Sequence, residues 1–277
     1  MMKKILCLAL ALIMCIFAFT ACNGETPAPD NNGENNGNNN QKEKLVCGVT
    51  LFENMNEQDE NGNWIGFESE FAIEVGKLLN MDVEFQIIEW AQKYNELNAG
   101  SIDCIWNGFT ANSSDNGIKR SDLVDFSYGY MLNQQCIVVK KDNLANFTDE
   151  ASLAGKSAAA EGGSAGESYA KTATTTVVPV TAQIDAFREV SSGAVDFIVV
   201  DILLAQNLCG NGNYENLTIV DSIELESEIY AIGFKKGSDL TAKVNQAIKT
   251  LEANGKLMEI ATKYGFENVL KVSETIE

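Results

Sequence analysis

The residues of this sequence that could do chemistry follow the end of one short apolar run. Residues 103–106 read Asp-Cys-Ile-Trp, as expected of a buried strand, and Asn107, Gly108 and Thr110 come shortly after them. In open α/β sheets, ligands bind in the crevice outside the carboxyl ends of the strands. An indole ring, an amide and a hydroxyl in one turn therefore favour ligand binding. The alternative is an ordinary turn after a strand.

The elements that would position these residues alternate between strands and helices. Predicted strands cover residues 44–50, 83–88, 101–106, 134–140, 177–180, 194–200 and 228–234. Predicted helices cover residues 66–79, 90–99, 167–171, 182–190 and 239–264, the last with a break expected at Gly255. Asn61 and Gly62 predict a hairpin turn. This alternation indicates a mainly parallel α/β sheet, with a second α/β series starting near residue 153.

The second series repeats the design of the first. Its strand at residues 194–200 ends at the acidic residue Asp201, as the earlier strand ends at the polar turn around Asn107. Two apolar strands that each end in polar residues predict two similar lobes with a cleft between them.

Composition excludes several classes of function. The chain has no His, which rules out Ser-His or Cys-His catalysis and His-ligated metals. Its formal net charge is −19, so its surface repels phosphate backbones and no nucleic-acid partner is expected. Arg120 and Arg188 are the only arginines, which leaves few places for a bidentate carboxylate clamp. The cysteines show no metal-ligand spacing, and we expect neither a metal nor a cofactor.

The N-terminal 43 residues are predicted to direct and tether the protein. Residues 1–21 have the basic start and apolar middle of an export leader. The run Phe19-Thr20-Ala21-Cys22 resembles the lipobox of bacterial lipoproteins, which implies that Cys22 becomes a lipidated N-terminus. Residues 22–43 are rich in Asn, Gly and Glu and are predicted to be a disordered tether. A leader with a chance Cys and a retained membrane helix are the alternatives.

Six segments after the tether carry a family resemblance through their order and spacing. They are residues 63–72 (NWIGFESEFA), 102–110 (IDCIWNGFT), 124–127 (VDFS), 153–156 (LAGK), 163–164 (GS) and 195–197 (VDF), the last leading to Asp201. With these segments the chain resembles the extracytoplasmic solute-binding proteins of the polar amino-acid ABC-transporter family. No single segment is decisive, but together they cover the chain from residue 44 onward.

The resemblance implies a fold and a function. The fold would be two Rossmann-like α/β lobes of the periplasmic binding protein type II, joined by a two-strand hinge. Lobe 1 would comprise residues 44–132 plus 229–277, and lobe 2 residues 133–228. The protein would be a monomer that binds an amino acid in the cleft. It would deliver this ligand to an ABC-transporter permease from the outer face of the cell membrane, where Cys22 anchors it.

The resemblance also assigns the charged ends of the ligand. Arg120 would clamp the carboxylate, aided by backbone N–H groups of the turn formed by Gly163, Ser164 and Ala165. Asp201 would bind the ammonium group. Residues 111–119 are longer than the family pattern, which leaves open that Arg120 is a surface residue outside the pocket. For Asp201, the alternative is a solvated carboxylate at a strand end.

Further contacts follow from the same resemblance. Phe52 and Trp90 match positions that pack on the carbon skeleton of the ligand, unless they are core aromatics. Asn107, Gly108 and Thr110 match the loop that bonds both charged groups. Residues that select the ligand side chain cannot be assigned, and the candidates are Glu53, Asn54 and Tyr130.

Two other functions remain open at this stage. A few proteins of this fold act as dehydratases on small carboxylic acids, and fold alone does not separate an enzyme from a binding protein. The absence of His weakens acid–base catalysis but leaves Glu and Asp available. A ligand-sensing module is disfavoured because no signalling domain follows in this sequence. The lipid-anchored tether favours transport.

Overall fold

Two β-sheets organise residues 42–276, the part of the chain that the computed structural model describes. The strands are β1 (Lys44–Val49), β2 (Glu57–Gln58), β3 (Trp64–Ile65), β4 (Asp82–Ile87), β5 (Cys104–Ile105), β6 (Ser114–Asp115), β7 (Ile118–Lys119), β8 (Asp125–Phe126), β9 (Gly129–Lys140), β10 (Ser157–Glu161), β11 (Thr176–Val180), β12 (Phe197–Asp201), β13 (Leu217–Ile219), β14 (Ser227–Tyr230), β15 (Gly233–Phe234) and β16 (Leu270–Ser273). The α-helices are α1 (Phe67–Leu79), α2 (Lys93–Ala99), α3 (Arg120–Leu123), α4 (Ala165–Ala173), α5 (Gln183–Ser192), α6 (Ile202–Leu208), α7 (Asp239–Ala253) and α8 (Lys256–Tyr264). The predicted leader, Cys22 and nearly all of the predicted tether lie outside the described residues.

The first sheet has the strand order β4-β1-β5-β15-β8. Strand β1 runs parallel to β4 and β5, whereas β15 is antiparallel to both of its neighbours. Helix α1 buries Phe67, Phe71 and Val75, which recur at the helical spacing that the sequence predicted. The helix ends at Asn80, whose left-handed backbone (φ 54°) caps the last turn. This sheet and its helices form the first lobe.

The second sheet has the order β11-β10-β12-β9-β13. Strands β10, β11 and β12 are parallel, and β9 is antiparallel to β12 and β13. Helix α4 starts close to this sheet because Gly166 has no side chain. A Cβ atom there would lie 2.7 Å from the backbone oxygen of Val199 on β12. The second lobe is thus built around β10 and β12, and α4 begins beside their carboxyl ends.

Two antiparallel strands connect the lobes, as the family resemblance implied. The 12-residue strand β9 pairs with β14 over its first half and with β12 and β13 over its second half. Strand β16 also pairs with the start of β9. The predicted α/β fold of two lobes joined by two strands is therefore present.

Several predicted elements differ in detail. The predicted strand 228–234 is broken into β14 and β15, and the predicted helix 239–264 is broken into α7 and α8 at Gly255 (φ 80°). Predicted helix 90–99 begins with a 3₁₀ turn before α2. The sequence did not predict the hairpin β6–β7 or the elements α6, β13 and β16. Among residues 42–276, no helix has the length and apolarity to cross a membrane.

Candidate functional site

A narrow cavity of about 10 Å³ lies between the two lobes. The first lobe lines it with Trp90, Asn107, Gly108, Thr110 and Arg120. The second lobe and β9 line it with Gln135, Glu161, Ser164, Ala165, Gln183 and Asp201. Eight of the ten predicted ligand contacts therefore come together here. Phe52 and Gly163 do not line the cavity, and the sequence did not indicate Gln135, Glu161 or Gln183.

Arg120 is one of the most buried side chains of the molecule, with 1% of its surface exposed. Its Nε and Nη2 atoms lie 3.0 and 2.9 Å from Asp115 Oδ1, and Nη1 donates to the carbonyl of Thr110 over 3.1 Å. Its guanidinium carbon lies 5.0 Å from the centroid of the Phe109 ring. The structure thus places Arg120 on the cavity wall, and the alternative of a surface arginine is wrong.

The unusually long segment before Arg120 folds into a hairpin of its own. Strands β6 and β7 pair across a two-residue turn at Asn116 (φ 52°) and Gly117 (φ 81°). Both values suit a tight hairpin turn, which needs positive φ at its two central residues. Asp115, at the end of β6, accepts hydrogen bonds from Arg120 and from Tyr94 Oη. The extra residues therefore form a hairpin without moving Arg120 away from the cavity wall.

Asp201 occupies the carboxyl end of β12, where the sequence predicted it, and three side-chain amides surround it. Asn133 Nδ2 and Gln135 Nε2 donate to Asp201 Oδ1 over 2.7 and 2.5 Å. Gln183 Nε2 donates to Oδ2, and Gln183 Oε1 accepts from the Asp201 backbone N–H. Burial raises the pKa of Asp201, whereas the amides act in the opposite direction. The carboxyl group is thus a fixed, desolvated acceptor rather than a solvated strand end.

A second buried acid, Glu228, shares the donors of Asp201. Asn133 Nδ2 and Gln135 Nε2 also donate to Glu228 Oε2, over 2.7 and 3.0 Å, and Thr110 Oγ1 lies 3.1 Å from the same atom. Burial, followed by the charge of Asp201, raises the pKa of Glu228 to about 7. The pair lies on β12 and β14, so these amides tie the second lobe to the connecting strands.

Glu161 is a third buried acid, and it has fewer partners. It ends β10, and 3% of its surface is exposed. Its Oε1 atom has no hydrogen-bond partner among residues 42–276. Burial, followed by the charge of Asp201, raises the pKa of Glu161 to about 8, and the charge of Lys93 opposes this shift. An unpaired carboxyl oxygen on the cavity wall is a free position for a hydrogen-bond donor.

The turn before α4 offers fewer free N–H groups than the resemblance implied. The N–H of Gly163 donates to Glu167 Oε2, and that of Ser164 donates to the carbonyl of Glu161. The Ser164 hydroxyl caps α4 by accepting from the N–H of Glu167 over 3.0 Å. Within residues 42–276, neither the N–H of Ala165 nor that of Gly166 donates a hydrogen bond. These two, rather than those of Gly163 and Ser164, are available to an anion.

Most other predicted contacts have partners within the protein. The Asn107 amide bonds both the hydroxyl and the carbonyl of Thr50, over 2.5 and 3.0 Å. The Gly108 N–H donates to Glu68 Oε1 over 2.8 Å, so its backbone is engaged as well. Thr110 uses its carbonyl for Arg120 and its hydroxyl for Glu228. These residues shape the cavity wall and hold its charged groups in place.

Of the predicted aromatic contacts, Trp90 alone lines the cavity. Its ring packs edge-on against Phe109, with centroids 5.4 Å apart. Phe52 is buried in the core of the first lobe. Trp106, the indole in the opening motif, also faces that core and packs against Phe71. The ring of Phe52 thus packs in the core and does not line the cavity, as in the alternative of a core aromatic.

The three specificity candidates do not line the cavity either. Glu53 is exposed, and Asn54 is a turn residue with φ 62°. Tyr130 is fully buried, and its hydroxyl donates to Glu68.

Two cations of the first lobe reach one carbonyl of the second lobe. Lys93 Nζ donates to Gly163 O over 2.8 Å, and Arg120 Nη2 lies 3.4 Å from the same oxygen. Lys93 is buried, lies 3.6 Å from Asp115, and packs over the Tyr94 ring at 4.6 Å from its centroid. Burial, followed by the charge of Arg120, lowers the pKa of Lys93 to about 8, and the charge of Asp115 opposes this shift. The lobes are thus closed on the cavity by contacts between protein groups.

Two α/β lobes that close on a cavity lined by an arginine, buried carboxyls and amides define a binding protein for a small charged ligand. Residues 45–268 match the family model of bacterial extracellular solute-binding proteins, family 3. The match covers most of the chain, and the protein belongs to this family.

Relatives of known name are similar over nearly the whole chain. The arginine-binding extracellular protein ArtP of Bacillus subtilis is 29% identical over 95% of this chain and 98% of its own length. The L-cystine-binding protein TcyA of the same organism is 29% identical over 98% of this chain and its full length. A solved structure, an ancestral arginine-binding protein bound to arginine, is 29% identical. It covers 81% of this chain and 99% of its own, with a TM-score of 0.74.

These similarities establish the general function. The protein binds an amino acid or a closely related small molecule and delivers it to an ABC importer. The fold is that of the type II periplasmic binding proteins, as the sequence predicted. The named relatives are binding proteins rather than enzymes, so the dehydratase alternative is not favoured.

Proposed function

We propose that Arg120 and Asp201 hold the two charged ends of an α-amino acid in the cavity between the lobes. The observation that carries this proposal is that they line one cavity from opposite lobes, and both are at least nine-tenths buried. Every α-amino acid carries a carboxylate and an ammonium group, whatever its side chain. A guanidinium group on one wall and a carboxylate on the other match that pair.

The carboxylate end has further support from the start of α4. The N–H groups of Ala165 and Gly166 lie at the N-terminus of a nine-residue helix, where the helix dipole favours an anion. Arg120 keeps Asp115 as a partner, which fixes the guanidinium group in place before a ligand arrives. Trp90 packs on the carbon skeleton of the ligand from the first lobe.

The division into lobes and the anchor belong to the same proposal. The chain is expected to pass from one lobe to the other at residues 132/133 and again at 228/229. These residues form two neighbouring pairs between strands β9 and β14. Leu132 pairs with Ile229, and Asn133 pairs with Glu228. Rotation of one lobe relative to the other about these residue pairs would open and close the cavity. The protein is a monomer held at the outer face of the cell membrane by lipidated Cys22, and it presents its loaded form to a permease.

The binding test compares the two arginines of the chain. Isothermal titration against a panel of amino acids first identifies a ligand. Arg120→Ala should then weaken binding at least thirtyfold, because it removes a charged partner from a desolvated carboxylate. Arg188→Ala is the matched control, since 65% of the Arg188 side chain is exposed and its partner is Asp185 on the same helix. Equal affinities for the two variants would refute the role of Arg120.

The anchor is tested separately by location. In the native host, wild-type protein should be in the membrane fraction, and a Cys22→Ser variant should be released from it. Wild-type protein that is already soluble in that host would refute lipid anchoring without affecting the binding proposal.

A further inference from the structure

Glu161 is a cavity-wall carboxyl that the proposed contacts to the ligand backbone do not use. It ends β10 and lies beside Asp201, which ends the neighbouring strand β12. Asp201 has three amide donors, whereas Oε1 of Glu161 has no partner among residues 42–276. Buried polar atoms in folded proteins are nearly always hydrogen-bonded. The partner of this oxygen is therefore expected to come from the ligand.

The charge balance around the cavity indicates which kind of partner fits. Two cationic side chains face four carboxyl groups; the cations are Lys93 and Arg120, and the acids are Asp115, Glu161, Asp201 and Glu228. Asp115 is already paired with both cations. In their ionised forms these groups carry an excess of negative charge, which an amino acid with a neutral side chain, having no net charge, would leave unchanged. A ligand with one additional positive charge would reduce it.

The groove that adjoins this cavity is acidic as well. It shares Thr110, Gln135 and Ala165 with the cavity and leads outward past Glu150, Glu224 and Glu226. Among residues 42–276, no Lys or Arg lines this groove. A cationic ligand would be attracted along it, because charges of one sign in a cleft concentrate counter-ions there.

We propose that the ligand is a basic α-amino acid and that Glu161 binds the positive charge of its side chain. This inference rests on the proposed function, in which Arg120 and Asp201 hold the ligand's carboxylate and ammonium groups. The two acids at the ends of β10 and β12 then have separate tasks. Asp201 binds the ammonium group common to all amino acids, and Glu161 binds the second cation that distinguishes a basic one.

A neutral ligand is the main competing possibility. Burial raises the pKa of Glu161 to about 8, so the empty site at pH 7 holds largely the protonated acid. A protonated carboxyl group could donate to the amide oxygen of a neutral side chain. A bound cation reverses this preference, because it favours the ionised carboxylate. The two cases predict opposite responses when the charge of the ligand side chain is removed at constant shape.

L-arginine and L-citrulline provide that comparison, because citrulline replaces the guanidinium group with a neutral urea of nearly the same shape. Isothermal titration at pH 7.5 would measure both, together with L-lysine and L-glutamine. We expect arginine or lysine to bind at least thirtyfold more tightly than citrulline and glutamine. In Glu161→Gln, which keeps the shape but cannot ionise, this preference should fall at least tenfold. Glu150→Gln, in the exposed part of the groove, is the control and should leave the preference within about twofold of wild type.

Each outcome bears on the inference. If citrulline or glutamine binds as tightly as the basic amino acids, the inference is wrong, while the proposed amino-acid site stands. If basic amino acids are preferred but Glu161→Gln keeps that preference, Glu161 is not the selective residue and the inference is overturned. If no amino acid binds the wild-type protein, the proposed function fails and the inference fails with it. Circular dichroism of each variant would establish that it is folded.

Discussion

Replacing Asp201 with Asn is the most direct test of the proposed ammonium site. Asn keeps the size of the side chain and one acceptor oxygen, but it removes the negative charge. Loss of one partner from a desolvated charge pair costs about 2–5 kcal/mol. Because about 1.4 kcal/mol corresponds to a factor of ten, affinity should fall between about thirtyfold and several thousandfold. Isothermal titration with the best ligand of the panel would measure this loss.

The fold itself should tolerate the change, which separates binding from stability. Asn133 and Gln135 would keep Glu228 as an acceptor, so only the bond from Gln183 to Asp201 Oδ2 is lost outright. One such bond contributes about 1 kcal/mol. The melting temperature of the ligand-free variant should therefore fall by about 2–4 °C.

Glu228→Gln is the matched control for this experiment. Glu228 shares two amide donors with Asp201 but does not line the cavity. Its removal changes the electrostatic field of the site without removing a direct contact, and we expect affinity to change less than fivefold. Comparable losses in the two variants, or a loss below threefold in Asp201→Asn, would refute the assignment.

Three further predictions concern stability and shape. The ligand-free protein should melt at a higher temperature as pH falls from 8 to about 5.5. In the folded state, burial raises the pKa values of Glu68, Glu161 and Glu228 to about 7, 8 and 7, respectively, from 4.5. The folded chain thus binds protons that the unfolded chain releases, and this stabilisation is lost as pH rises through these values; a flat melting profile would contradict it. Gly166→Ala should lower the free energy of unfolding in urea by about 1–3 kcal/mol, because the new Cβ would lie 2.7 Å from a backbone oxygen of β12. Gly162→Ala, whose nearest neighbour would be at 3.7 Å, should be nearly neutral, and similar losses would exclude the clash. Small-angle scattering should give a smaller radius of gyration with saturating ligand than without it, and an unchanged radius would argue against a hinge.

The sequence predicted the main elements well because their apolar residues recur at regular spacing. Helix α1 and strands β1 and β12 are of this kind. The break at Gly255 was also predictable, because glycine interrupts an otherwise regular helical pattern. The role of two strands in connecting the lobes was expected from the family resemblance rather than from the residues themselves, since the strand predicted at residues 134–140 covers only the second half of β9.

Arg120 keeps its expected position because the extra residues before it form a hairpin. Asn116 and Gly117 form the same Asn-Gly pair that correctly predicted the hairpin at Asn61 and Gly62. An Asn-Gly pair at residues 116 and 117 likewise predicts a hairpin inserted before Arg120. With that hairpin set aside, Arg120 lies where the family pattern places its arginine.

Other parts of the site depend on tertiary contacts that local patterns do not encode. Glu161 follows three alanines and precedes two glycines, which reads as the end of an ordinary strand. Lys93 looks like a solvent-exposed helical lysine, yet it is buried against the second lobe. Gln135 and Gln183 reach the cavity only because β9 and α5 pack beside β12. The core position of Phe52 could not be predicted either, because an aromatic residue in a loop gives no indication of which side of the sheet it faces.

The carbonyl oxygen of Gly163 accepts from Lys93 and Arg120, both on the opposite lobe, and neither hydrogen bond involves a ligand atom. Part of the attraction between the lobes is therefore present before an amino acid arrives, and an empty molecule should spend a measurable fraction of its time closed. Because ligand can enter only the open form, the apparent dissociation constant rises in inverse proportion to the open fraction. A permease that recognised only the closed form would also bind closed protein without ligand. Ligand binding must therefore raise the closed fraction well above that of the ligand-free protein. Weakening the hydrogen bonds to the Gly163 carbonyl should then increase the difference in closed fraction between the ligand-free and ligand-bound protein.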